Sequence, residues 1–222
     1  MGFDFLEDLD GYFCEKYADY DKLCILKGYV MPKMQTTERR EDGTDYSYTL
    51  PASTMRLALQ KDREALLAQL KEKMWDDTFS FSFRPLGTIE RWKERLRKTS
   101  FYKRLPQALA KCGVTAEEAG GLVDVDPFTW TKICKGTYRP TKNLLFSLAI
   151  VLHMSLDDLC ELLSSCDLAL DYTEVKDTVI AYLLSRNIFN SEMVKAALAE
   201  YRVGNLFLKD GKEEGEREAP EA

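Results

Sequence analysis

Residues 124–142, DVDPFTWTKICKGTYRPTK, place four cations along one short helix and the loop that leaves it: Lys132, Lys135, Arg139 and Lys142. Ammonium and guanidinium groups in such a row donate to phosphate oxygens. Trp130 and Ile133 in the same stretch supply an apolar side that can pack inward. The alternative is a solvated rim of a helical bundle. A second basic stretch lies upstream. Between Arg84 and Lys111 nine basic residues face two acidic ones, Glu90 and Glu94, a local excess of +7. Spacing of four along Glu90, Glu94 and Lys98 permits pairing on a helix face, but the excess is larger than that pairing needs.

Other chemistry finds little support. His153 is the one histidine, with no aligned acid or nucleophile to make a triad. The six cysteines, Cys14, Cys24, Cys112, Cys134, Cys160 and Cys166, form no C-x-x-C pair and lack the short paired spacing of a zinc site. They read as small buried hydrophobes in a reducing cytoplasm. No catalytic residue, cofactor site or metal site is expected, and the protein is not expected to be an enzyme. The N-terminus, MGFDFLEDLDGYF, shows no basic-then-apolar leader, and no apolar run approaches membrane-spanning length.

Those side chains need a scaffold, and the composition allows one. The 222 residues are 45% hydrophobic and 31% charged, enough for a globular core. The net charge of −6 excludes a protein-wide field that attracts nucleic acid, so any such contact must be local. Residues 3–18 carry Leu6, Leu9, Phe13 and Tyr17 at helical spacing. Residues 29–50 read as a hairpin around REDG, and 52–74 as a long helix with Leu59, Leu66 and Leu70 in its stripe. TFSFSF, 78–83, alternates like a strand with Phe79, Phe81 and Phe83 on one side. These elements predict a small α+β unit over residues 1–87. From 88 to 208 an all-helical domain is expected, and the charged end, 209–222, is expected to be disordered.

Caps divide residues 101–163 into five short helices. Gly113 stops the first, whose Pro106 is placed in its first turn. Thr115 and Glu118 form a capping box for the second, and Asp126 with Pro127 opens the third. Gly136 ends the third. Thr141 caps the fourth and Ser155 the fifth. The fourth helix, with Leu144, Leu145, Phe146, Leu148, Ile150, Val151 and Leu152, is apolar nearly all round and needs cover on two faces. Two further helices, 173–188 capped at Thr173 and 191–207 capped at Asn190 or Ser191, or a dimer, would supply that cover.

With its spacing of Val125, Trp130, Ile133, Gly136, Pro140, Leu145, Leu148, Ala149, Leu152, Ser155, Leu156 and Leu159, this segment resembles the lambda-repressor-like (XRE-type) helix-turn-helix family. TAEEAGGLVDVDPFTWTKICKG is similar to its second helix, turn and recognition helix, and the resemblance implies a close crossing of those helices at Gly120, a role the neighbouring Gly121 does not share. The resemblance implies a bacterial DNA-binding transcription regulator that contacts double-stranded DNA. The implied contacts are Phe128, Thr131, Lys132, Lys135, Tyr138, Arg139, Thr141 and Lys142. The third helix holds no Arg, Asn or Gln for a bidentate base contact, so phosphates are the expected targets. His153, at a position this family often fills with glycine, is expected in the left-handed conformation. The whole chain is thus expected to be mostly α: an α+β unit followed by an all-α helix-turn-helix domain. The rival expectation is a protein-interaction module that keeps this fold without binding DNA.

Overall fold

A computed structural model describes residues 4–17, 35–39, 45–49, 67–68, 71–72, 82–97, 99–204 and 206–209. Those residues hold nine helices: α1 (Phe5–Lys16), α2 (Thr88–Leu96), α3 (Phe101–Lys111), α4 (Ala116–Leu122), α5 (Pro127–Cys134), α6 (Lys142–Val151), α7 (Leu156–Ser165), α8 (Val175–Ser185) and α9 (Ser191–Glu200). Among the described residues strand is confined to β1 (Gln35–Arg39) and β2 (Asp45–Thr49), an antiparallel pair in the register Gln35↔Thr49 through Arg39↔Asp45.

The expected α+β N-terminal unit is therefore overturned: the described structure is helical, with one two-stranded ribbon. The physical reason lies in α1. Its apolar side is taken up by α8 and by Tyr201 at the end of α9. Leu9, Phe13 and Cys14 are buried in the same core as the C-terminal helices. Phe13 meets Tyr201 at 4.5 Å between ring centroids, and Tyr12 meets Tyr182 at 5.5 Å. The Tyr182 hydroxyl donates to the Phe5 carbonyl at 2.9 Å, and Arg186 pairs with Asp8 at 2.9 Å. The third expected strand is also absent where it is described. Ser82 and Phe83 lie in irregular chain, because Phe83 packs on Phe207, 5.4 Å away. Residues 78–81, the REDG turn, Cys24 and most of the 52–74 helix lie outside the described residues. Within the last, 67–68 and 71–72 are helical, and Lys71 joins Asp10 and Glu200 at 2.9 and 2.6 Å.

Residues 101–165 form five helices with their caps in place. Thr115 accepts from Glu118 N, and Glu118 returns the bond to Thr115 N at 2.7 Å. Asp126 accepts from the N–H groups of Phe128 and Thr129, both at 3.0 Å. Thr141 and Ser155 accept from Leu144 N and Asp158 N. Gly113 and Gly136 close α3 and α5 at φ +70° and +65°, and His153 leaves α6 at φ 51°. Pro106 sits inside α3 and not in its first turn, because buried Phe101 starts the helix five residues earlier. Thr173 does not cap α8. Its N–H and hydroxyl both go to Asp171, and the helix starts at Val175.

The largely apolar α6 is central. Leu144, Leu145, Phe146, Leu148 and Ala149 are wholly buried. α7 packs against it, and α8 covers a further side. α8 is itself buried from Lys176 to Leu184 because α1 lies over it.

Candidate nucleic-acid interface

The crossing of α4 and α5 sets the interface. Trp130 Nε1 donates to the Ala116 carbonyl at 2.7 Å, which lays the indole across α4. Gly120 makes that possible, since a Cβ there would stand 2.4 Å from Trp130 Cδ1. A Cβ on Gly121 would meet nothing within 4 Å. With Trp130 and Ile133 buried, α5 turns Phe128, Thr131 and Lys135 to solvent.

The eight residues expected at the interface divide into two groups. Phe128 is exposed at the start of α5. Lys132 is half-buried between two rings, its Nζ 3.8 Å from the Phe128 centroid and 4.8 Å from that of Tyr138. The Lys132 ammonium also donates to the Tyr138 hydroxyl at 3.4 Å. A cation so placed gains from both ring faces and keeps its charge at the surface. Thr131 is exposed, with its hydroxyl donating back to the Pro127 carbonyl at 2.8 Å. No carboxylate among the described residues pairs with Lys135.

The other group is occupied internally. Arg139 donates to the Cys166 carbonyl at 2.7 Å and lies 3.9 Å from Asp167. Lys142 forms an ion pair with Asp177, whose side chain is buried. Burial raises the Asp177 pKa, and Lys142 together with the Asp171 N–H opposes that rise. Thr141 caps α6. These three residues hold the domain together, so the outward cationic edge ends near Lys135.

A different source replaces the lost charge. Loop 137–139 pairs with 84–86: Leu86 N donates to Thr137 O at 2.8 Å, Arg139 N to Arg84 O at 2.9 Å, and Pro85 and Tyr138 form an antiparallel bridge. This fastens the start of α2 beside the end of α5. Arg91, Lys93 and Arg95 of α2 are exposed, and no carboxylate among the described residues pairs with them. Glu90 is committed to Arg84 at 2.5 Å and to the Gly87 N–H, which hold its carboxyl below the ordinary range. The basic stretch of 84–97 and the α5 edge are therefore neighbours, a juxtaposition set by a backbone pairing that no residue spacing announces. Between α2 and the body lies a cavity of about 380 Å³ lined by Glu90, Glu94, Arg97, Tyr102, Tyr138 and Asp167 among others.

The opposite end is anionic. Glu117, Glu118, Asp124 and Asp126 are exposed around the α4–α5 turn. Glu118 and Asp126 are held below the usual carboxylate range by the hydrogen bonds of their caps, so both stay ionised. Among the described residues no group of three His, Cys, Asp or Glu side chains could hold a metal ion. Cys134 and Cys166 are pushed up to about 11 by burial, which keeps both as thiols. No described helix is long and apolar enough to cross a membrane. No known protein family, curated protein or solved structure matches this chain.

Proposed function

We propose that this chain is a cytoplasmic, DNA-binding transcription regulator of the helix-turn-helix type that grips duplex phosphates. The observation that carries the reading is the joining of two exposed cationic elements. α5 offers Lys135 and the Lys132–Tyr138 pair, and the 84–86 pairing sets Arg91, Lys93 and Arg95 of α2 beside them. Phosphate contacts give affinity without base readout. Phe128, expected at a base edge, stands beside the exposed carboxylates of Asp124 and Asp126, and the Thr131 hydroxyl is donated to the Pro127 carbonyl, so the reading rests on phosphate contacts rather than base readout.

The test is a salt titration of binding to random duplex. Affinity falls steeply with salt, and Lys135→Met lowers the slope of log K against log salt by about 0.9, one phosphate contact. Arg91→Met and Arg95→Met act likewise. A slope that none of these substitutions changes removes the reading. The rival, a protein-interaction module without DNA binding, rests on one specific observation: large apolar side chains of α2 and α5 face solvent.

A further inference from the structure

Among the described residues five large apolar side chains are exposed, and they fall in two places. The first is α2, where Ile89, Trp92 and Leu96 are 72%, 64% and 63% exposed. They share one side of the helix, at spacings of three and four. α2 is turned inside out. Its polar side faces the body, with Glu90 and Glu94 half-buried, and just beyond it Arg97 makes two bonds to Asp167 at 2.8 and 2.9 Å. No residue of α2 is buried. The second place is the α4–α5 turn, where Leu122 and Phe128 are 43% and 68% exposed.

The two differ in the charge that edges them. The α2 ridge is flanked by Arg91, Lys93 and Arg95. The turn is flanked by Glu117, Glu118, Asp124 and Asp126. Lys132 over the Phe128 ring and Lys209 on the Gly121 carbonyl only partly offset these four carboxylates, so the turn stays net acidic. Pairing either surface with its own copy across a two-fold axis would set like charges together. Pairing the ridge with the turn brings apolar to apolar and opposite charges to their rim.

We propose that a second copy of this chain covers the α2 ridge, seating its Leu122–Phe128 turn on Ile89, Trp92 and Leu96. The contact is head-to-tail, since each copy keeps one ridge and one turn free. Five anchoring side chains make a small interface, below the roughly 1,200 Å² of stable complexes, so association is weak and concentration-dependent. Occupying Phe128 also covers the start of α5, so assembly and duplex binding compete. The contact itself does not rest on DNA binding, and its test contains no DNA.

Sedimentation equilibrium of the unaltered chain at low salt gives a mass that climbs with concentration into the high micromolar range and falls when salt is added. Trp92→Glu and Phe128→Glu each give a monomer, because either change disables one of the two surfaces. Mixing the two variants restores association but stops at a dimer, since the pair retains one intact ridge and one intact turn. Far-UV circular dichroism checks that each variant folds. If either does not, Leu96→Ser and Leu122→Ser replace them. A monomer at every concentration, assembly untouched by Phe128→Glu, or a mixture that stays monomeric each overturns the proposal.

Discussion

The inner and outer faces of residues 116–142 are built from similar residues that carry opposite burdens. Gly120 and Gly121 are adjacent, yet one lies against an indole and the other against open space. Lys135 and Lys142 are seven positions apart, yet one is free in solvent and the other neutralises a buried carboxylate. Residue type is thus a poor guide to role here. What decides is whether the position faces a packed neighbour, Trp130 of α5 for Gly120 and Asp177 of α8 for Lys142, or open solvent.

Substitutions can break that contrast. The largest effect belongs to Lys142→Met, which leaves Asp177 charged, buried and short of its cation. Chemical denaturation shows a loss of about 3 kcal/mol at neutral pH. The loss shrinks on acidification, because burial already raises the Asp177 pKa and a protonated carboxyl no longer needs the cation. The Asp171 N–H, 2.7 Å from the Asp177 carboxylate, moderates the cost. Next comes Gly120→Ala, which forces the Trp130 ring away from α4 and from its bond to Ala116. Overpacking at such a contact costs about 2 kcal/mol. Its neighbour sharpens the comparison with the opposite sign: Gly121→Ala raises stability by about 0.5–1 kcal/mol through helix propensity. The same denaturant curves measure both.

Smaller still is the acid limb of the caps. Asp126 and Glu118 have folded pKa values below their unfolded ones. Their contribution is complete above the unfolded pKa and is lost as pH falls through the folded pKa. Asp126→Asn keeps the cap but not the titration, so the variant's melting temperature depends less on pH in the acid range. Last, Lys135→Met leaves thermal stability unchanged, since no described carboxylate pairs with that ammonium. Any measurable loss of stability would place Lys135 on the inner face.

Much of the five-helix segment was legible in its residues, because caps are local. Thr115, Asp126, Thr141 and Ser155 each reach an N–H two or three positions ahead, and Gly113, Gly136 and His153 take the left-handed conformation that ends helices. Burial of α6 followed from its apolar residues on nearly every side. The candidate interface was legible only in part. The partner of Lys142 lies 35 positions later at Asp177, and that of Arg139 lies 27 positions later at the Cys166 carbonyl. No periodicity within α6 could reveal either. The orientation of α2 was equally hidden: its spacing marks an apolar side and says nothing of which way that side turns. The α+β reading of the N-terminus failed because a short amphipathic helix followed by a hairpin signal does not say which neighbour the helix will bury. α1 found its cover on α8, more than 150 residues away in sequence.

One further contact governs how the molecule comes apart. Phe207 donates its N–H to Ser147 in the middle of α6, accepts from the Asp124 N–H in the α4–α5 turn, and meets the Phe83 ring in a tilted contact. Residues 206–209 thus act as a clasp between α6 and the α4–α5 turn. Amide hydrogen exchange at Asp124 and Phe207 will report one shared opening event, and the turn cannot loosen until the clasp lets go.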